Sequence, residues 1–250
     1  MNTTECVTMV TGVATLITSI ASLFTIWEMK KQRNSQIKPE IVSGDFNVFG
    51  RIDLSNIDNF YNVWVNDKEH FKIRHGNNLN VEIFNLGNGF AQNITFEWIF
   101  DFQRIIESII KLDDSLIDKI VFSYNSTGDM GYVLSINNDK YQFSSQHLLN
   151  CELKCNAEFL PPITIGKVPY SLIMPQVIIE LLTLIFKIYG QENINLEVFD
   201  FSVFSAKLKI IYFDLEKRKY EKLINFEYLF EYFMKLPYVE IKSSFKVKKS

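Results

Sequence analysis

"NVEIFNLGNGFAQNITFEW", residues 80–98, is the most patterned stretch of the chain and decides its class. Val81 and Ile83 flank Glu82, while Ile94, Phe96 and Trp98 alternate with Asn93, Thr95 and Glu97. That is the period of a strand with one face buried. Between the runs, Gly87-Asn88-Gly89 offers the positive-φ positions that a tight connection needs. The same glycines form a G-x-G, the opening of a dinucleotide fingerprint. Position 92 is Gln, however, and no helical pattern follows. The stretch is expected to be antiparallel β, with no phosphate loop.

Similar runs lie on either side. "DFNVFGRIDL" (45–54), "NVWVN" (62–66), "YVLSI" (132–136) and "YQFSS" (141–145) read as strands parted by Asn, Gly and Asp clusters. "FSAKLKIIYFDLEKRKYEKLINFEY" (204–228) reads as two strands about a charged turn, with Ala206, Leu208, Ile210 and Tyr212 on one face. Helical spacing is expected near 102–120, through Ile105, Ile106, Ile109 and Ile110, and near 226–236, where Pro237 would end it. The apolar run 171–190 contains Glu180, which would cost about 2.5–3.5 kcal/mol at a bilayer centre. Pro175 leaves it roughly 14 helical residues, about 21 Å, too few to span. A core or interfacial helix near 175–189 is expected instead.

At the N-terminus, Val7 to Trp27 is 21 residues without a charge, or about 31 Å of helix, the thickness of a hydrocarbon core. A secretory signal carries its positive charge before the apolar run; here Glu5 precedes, and Lys30, Lys31 and Arg33 follow. The segment reads as an uncleaved anchor. Positive-inside asymmetry then places the remainder in the cytoplasm, giving a single-pass inner-membrane protein. Thr4, Thr8, Thr11, Thr15, Thr18, Ser22 and Thr25 follow one another by steps of 4, 3, 4, 3, 4 and 3. A helix-packing face at Thr11, Thr15, Thr18, Ser22 and Thr25 is expected, for self-association or for a partner membrane helix. The alternative is that each hydroxyl bonds its own preceding turn. Lys30, Lys31, Arg33 and Lys38 are expected to meet anionic headgroups, and Lys242, Lys246, Lys248 and Lys249 form a second basic cluster at the tail.

The expected fold is thus mainly β: a transmembrane anchor (1–29), a basic juxtamembrane linker (30–44), and a cytoplasmic β-sandwich or β-barrel-like domain with helical insertions (45–250). With 47% hydrophobic residues in 250, a sizeable core is within reach. A net charge of -3 gives no overall attraction to nucleic acid, and direct nucleic-acid binding is not expected. Three cysteines make no disulfide framework, and Cys151 and Cys155 are spaced wrongly for a zinc pair. His70 and His75 are poor as a ligand pair, and Asp113, Asp114 and Asp118 read more simply as a solvated helix end than as a cation site. No motif marks a nucleophile, a metal centre or a Walker loop, and no cofactor is expected.

One apolar span, a basic stop, Asn85-x-Gly87-x-Gly89-x-Ala91-x-Asn93, a Pro161-Pro162 loop before an apolar helix, and a closing hairpin around Tyr212 and Asp214 together resemble a loose group of bacterial membrane-anchored β-domain proteins. The architecture is similar to that of membrane effectors in anti-phage defence. That resemblance implies a non-enzymatic effector whose cytoplasmic domain answers a nucleotide signal or a protein partner while the membrane helix assembles. The alternative reading is a tether that recruits a cytoplasmic partner to the bilayer.

Overall fold

The computed structural model describes residues 3–53, 62–72, 79–112, 120–125, 131–137, 142–148, 153–166, 168–192, 199–235 and 238–248. Helix α1, Thr3–Gln36, is continuous, and its part from Thr11 to Arg33 is fully exposed and long and apolar enough to cross a membrane. The chain that follows is mainly β.

Three sheets, all antiparallel where they pair, build the domain. The largest runs β3 (Asn62–Val65), β2 (Phe46–Asp53), β13 (Tyr238–Val247), β12 (Lys219–Lys235), β11 (Ala206–Phe213), β5 (Ala91–Ile99), β9 (Lys154–Leu160). A second joins β1 (Ile41–Ser43), β4 (Asn80–Asn85) and β10 (Tyr170–Ile173). The third is a meander of β6 (Ile120–Asn125), β7 (Gly131–Asn137) and β8 (Gln142–Leu148). Helix α2 (Phe102–Ile110) buries Ile105 and Ile109 in the core, α3 (Ile163–Gly166) is a single short turn, and α4 (Gln176–Glu192) fills the core.

The large sheet curls about α4. From Val177 to Tyr189 nearly every side chain of α4 is buried, with Glu180 only half-buried. A helix that is apolar all round needs cover on every side, and here the cover is protein. Trp64 on β3 donates its indole N–H to Thr183 Oγ1 at 2.9 Å, while Phe186 packs within 5.6 Å of Phe201 and of Phe230, ring centre to centre. The run 171–190 is therefore a core helix preceded by a short strand.

Two expectations are corrected. Of the helix expected over 226–236, residues 226–235 are strand, the second half of β12, and 236 lies outside the described residues: Ile224, Phe226 and Tyr228 point inward while Asn225, Glu227 and Leu229 point outward. The Phe/Tyr-rich run satisfies both periods, and the ladder to β13, from Phe226↔Val247 to Lys235↔Val239, decides for the strand. The helix expected over 102–120 stops at Ile110, Ile120 begins β6, and residues 113–119, with Asp113, Asp114 and Asp118, lie outside the described residues. So do His75 and Cys151, together with the side chain of His70.

A further correction concerns 80–98. The runs are strands, but β4 and β5 do not pair: β4 belongs to the small sheet and β5 to the large one. Gly87-Asn88-Gly89 is the crossing between sheets. Neither glycine adopts a positive φ; instead, a Cβ on Gly87 would lie 2.3 Å from Lys38 O, and one on Gly89 1.6 Å from Ile37 O. These glycines are required by close approach of the chain leaving α1. The left-handed residue is Asn93, at φ 47, where β5 skips a pairing between Gln92↔Phe159 and Ile94↔Ala157.

Candidate functional site: the junction of helix and β-domain

Strand alternation continues one step too far at two places. On β4 the inward positions are Val81, Ile83 and Asn85; on β11 they are Ala206, Leu208, Ile210 and Tyr212, and the next is Asp214. Each strand thus delivers a polar side chain, 1% exposed, to the core face at its end. Buried polar groups of this kind must be fully partnered.

Asn85 is. Its Oδ1 accepts from Glu40 N at 3.0 Å and Gly87 N at 3.1 Å, and its Nδ2 donates to Gly89 O at 2.7 Å and Leu160 O at 3.1 Å. One amide so binds the linker, the inter-sheet crossing and the end of β9. Leu86 N donates to Glu40 O at 2.8 Å, and Ile37 N to Arg33 O at 3.2 Å, so the chain passes from helix to sheet with its backbone occupied.

Asp214 holds the neighbouring turn. Its Oδ1 accepts from Glu216 N and Arg218 N, both at 2.9 Å, and its Oδ2 from Arg218 Nε at 2.6 Å and Tyr220 Oη at 3.0 Å. Burial alone would raise this carboxyl, but the donors of Arg218 and Tyr220 outweigh it and hold the group below its ordinary value. Tyr220 stacks on Tyr212 with ring centres 5.4 Å apart, Tyr212 Oη donates to Pro39 O at 3.4 Å, and Lys38 Nζ lies 5.6 Å from the Tyr220 ring centre. Lys38, Pro39, Glu40, Leu86, Asn88, Tyr212, Tyr220, Glu221 and Lys222 surround an open cavity of about 530 Å³.

The expected packing residues lie on the exposed part of α1. Thr15 donates to Thr11 O, Thr18 to Ala14 O, Ser22 to Thr18 O and Thr25 to Ala21 O, at 2.8–2.9 Å. These four hydroxyls are satisfied within their own helix, so hydrogen bonding at them does not oblige a partner, and what remains of that stripe is its small size. Lys30, Lys31 and Arg33 are exposed beyond it, with Lys31 Nζ 5.5 Å from the Trp27 ring centre. Lys38 lies further along the chain, exposed at the junction. In the tail, Lys242 pairs with Glu231 and Lys248 with Glu227 at 3.8 Å, at the far end of β11 from the linker, and Lys249 lies outside the described residues.

A second cavity of about 300 Å³ opens between the sheets, where Asp45, Asp67 and Glu82 line the rim with Asn66, Asn80 and Ser171. Among the described residues no group of His, Cys, Asp and Glu is placed to hold a metal ion. The sequence reading missed Asn85 and Asp214 as core residues. The signal was present, since both continue an apolar alternation, but alternation was read only as far as the last apolar member.

Fold and junction define a class: a curled antiparallel β-domain clamped directly to an apolar helix of membrane-spanning length. No family model, curated protein or solved structure matches the chain.

Proposed function

We propose that this is a membrane-anchored, non-enzymatic effector or signalling protein of a bacterial inner membrane. Its β-domain, on the cytoplasmic side, binds a ligand or protein partner, and its helix self-associates or pairs with another membrane helix. The observation that carries the reading is the Asn85 clamp. A flexible leash is enough to hold a partner near a bilayer, whereas here the short linker leaving the helix is bonded through Glu40 N to a buried amide that also holds the inter-sheet crossing and the end of β9, a route by which a rearrangement of the domain would reach the span. The junction cavity supplies the place for a signal. Lys38, Lys222 and the Tyr220 face offer a nucleotide-like ligand two cations and an aromatic surface, with Glu40 and Glu221 in the same lining, whereas the other cavity carries Asp45, Asp67 and Glu82 and, among the described residues, no cation. Bacterial anti-phage defence is the setting proposed for it, on the resemblance in architecture alone.

The own-turn hydrogen bonds of the α1 hydroxyls favour a second reading, a tether that recruits a cytoplasmic partner, because they leave association without an energetic need. Expression in a bacterial host with a membrane-potential dye separates the two. The effector reading expects depolarisation. A short Gly-Ser insertion between Ile37 and Pro39, which uncouples the helix while keeping the anchor, should abolish it. An unchanged potential with the native chain at equal membrane abundance would move the assignment to the tether.

A further inference from the structure

Outside α1 and the strands, the large apolar side chains exposed among the described residues are Leu86, Ile165, Val168 and Leu215, at 53, 64, 74 and 56%. All four lie at one end of the domain, where α1 enters. Leu86 shares the junction cavity with Lys38 and Tyr220. Ile165 and Val168 belong to the connection between Leu160, bonded to Asn85, and Tyr170, paired with Ile83. Leu215 sits on the turn joining Phe213 to Lys219, next to Gln92 in the sheet. Four apolar tips from three connections would be an aggregation liability in open water.

The Leu215 turn is built to stay as it is. Asp214 fixes it through four hydrogen bonds, and Lys217 is held at φ 62, a left-handed conformation unfavourable for a residue with a Cβ. The outcome is an exposed leucine followed, after Glu216, by the exposed cations Lys217 and Lys219, an arrangement that can put an apolar tip into acyl chains and cations beside anionic groups.

We infer that this end of the β-domain rests on the bilayer that α1 crosses, with Leu86, Ile165, Val168 and Leu215 in the headgroup layer. The inference rests on the anchor reading of α1. Reach permits it. Gln36 is nine residues past Trp27, about 14 Å of helix, and the headgroup layer takes up roughly 5–7 Å of that. The remaining gap of roughly 8 Å closes when the helix tilts by about 25–30°, because a domain of this size has a radius of gyration near 17 Å. Such tilts are ordinary, and the clamped linker turns a tilt of the helix into a seating of the domain.

The test uses the full chain with Cys6, Cys151 and Cys155 replaced by Ser. Single cysteines at Leu215 and Val168 carry an environment-sensitive fluorophore in phosphatidylethanolamine/phosphatidylglycerol vesicles that contain lipid spin-labelled at the headgroup or in mid-chain. Leu16→Cys and Trp27→Cys report the deep and interfacial parts of the span, and Ile99→Cys, at the opposite end of the domain, reports water. Leu215→Cys and Val168→Cys should be quenched by headgroup-labelled lipid as strongly as Trp27→Cys, with Ile99→Cys unaffected. Quenching at these loops no greater than at Ile99→Cys, while Leu16→Cys is quenched from mid-chain, overturns the seating and leaves the anchor intact. If Leu16→Cys is not quenched from mid-chain, the anchor reading itself fails. Dithiol crosslinking between Leu215→Cys chains in place of lipid quenching would assign the surface to a second copy and also overturn the proposal.

Discussion

Asn85, Gly89 and Asp214 show how few side chains fix the relation between helix and domain. At Gly89 the constraint is steric. A methyl group 1.6 Å from Ile37 O has backbone, not a flexible side chain, in its way, so Gly89→Ala should cost roughly 1–3 kcal/mol or more, whereas Gly12→Ala, with nothing within 4 Å, should change nothing. Urea unfolding of the two variants in detergent checks this. At Asp214 the constraint is electrostatic. Its carboxyl is held below the ordinary value of 3.8, so its stabilisation is complete above that pH and is lost as pH falls through the folded value. Asp214→Asn should therefore lower the urea midpoint at pH 7, and the gap to the native chain should shrink below about pH 4. A gap independent of pH would mean that hydrogen-bond geometry, not charge, is what the turn requires.

Among the elements, α1 and α4 have similar composition and opposite fates. Both are long apolar helices without a strong polar face; α1 is exposed from Thr11 to Trp27, and α4 is enclosed by strands. The difference follows from neighbours. Pro175 and Glu180 shorten and interrupt the apolar run of α4, and Trp64 and Phe230 from the curled sheet, with Phe201 from the 3-10 turn before β11, line it. Removing residues 1–36 should consequently leave a chain that stays in the supernatant after alkaline extraction. Within it, Phe186→Ala should lower stability by about 3–5 kcal/mol, read from the urea midpoint. Retention of the truncated chain in the membrane pellet would show α4 to be more than a core helix.

For the molecule as a whole, the ordering of charges about α1 carries the topology. Glu5 precedes the apolar segment, and Lys30, Lys31 and Arg33 follow it, so a reporter fused after Ser250 should behave as cytosolic and resist impermeant labels in intact cells. Labelling from outside would reverse the orientation and, with it, the choice of a cytoplasmic ligand. The junction would keep its geometry in either case, because its bonds are made within the chain.

The sequence by itself determined the class and most of the strands. Period-2 alternation at 80–98 and 204–228 needs only neighbouring residues to be legible, and the length and charge flanks of α1 need only counting. Tertiary structure decided where local signals were degenerate. "FEYLFEYFMKL" fits two periods, and only β13 lying alongside makes it a strand. Gly87 and Gly89 are as consistent with a hairpin as with a crossing; only the approach of Ile37 and Lys38, some fifty residues earlier, shows that they are there to make room. Asn85 and Asp214 were visible as residues and invisible as a junction, since a buried polar side chain is explained by its partners, and those of Asn85 come from Glu40, Gly87, Gly89 and Leu160. A pattern along the chain records which face of a strand is buried. It does not record what that face is buried against, because that is a contact between segments distant in sequence.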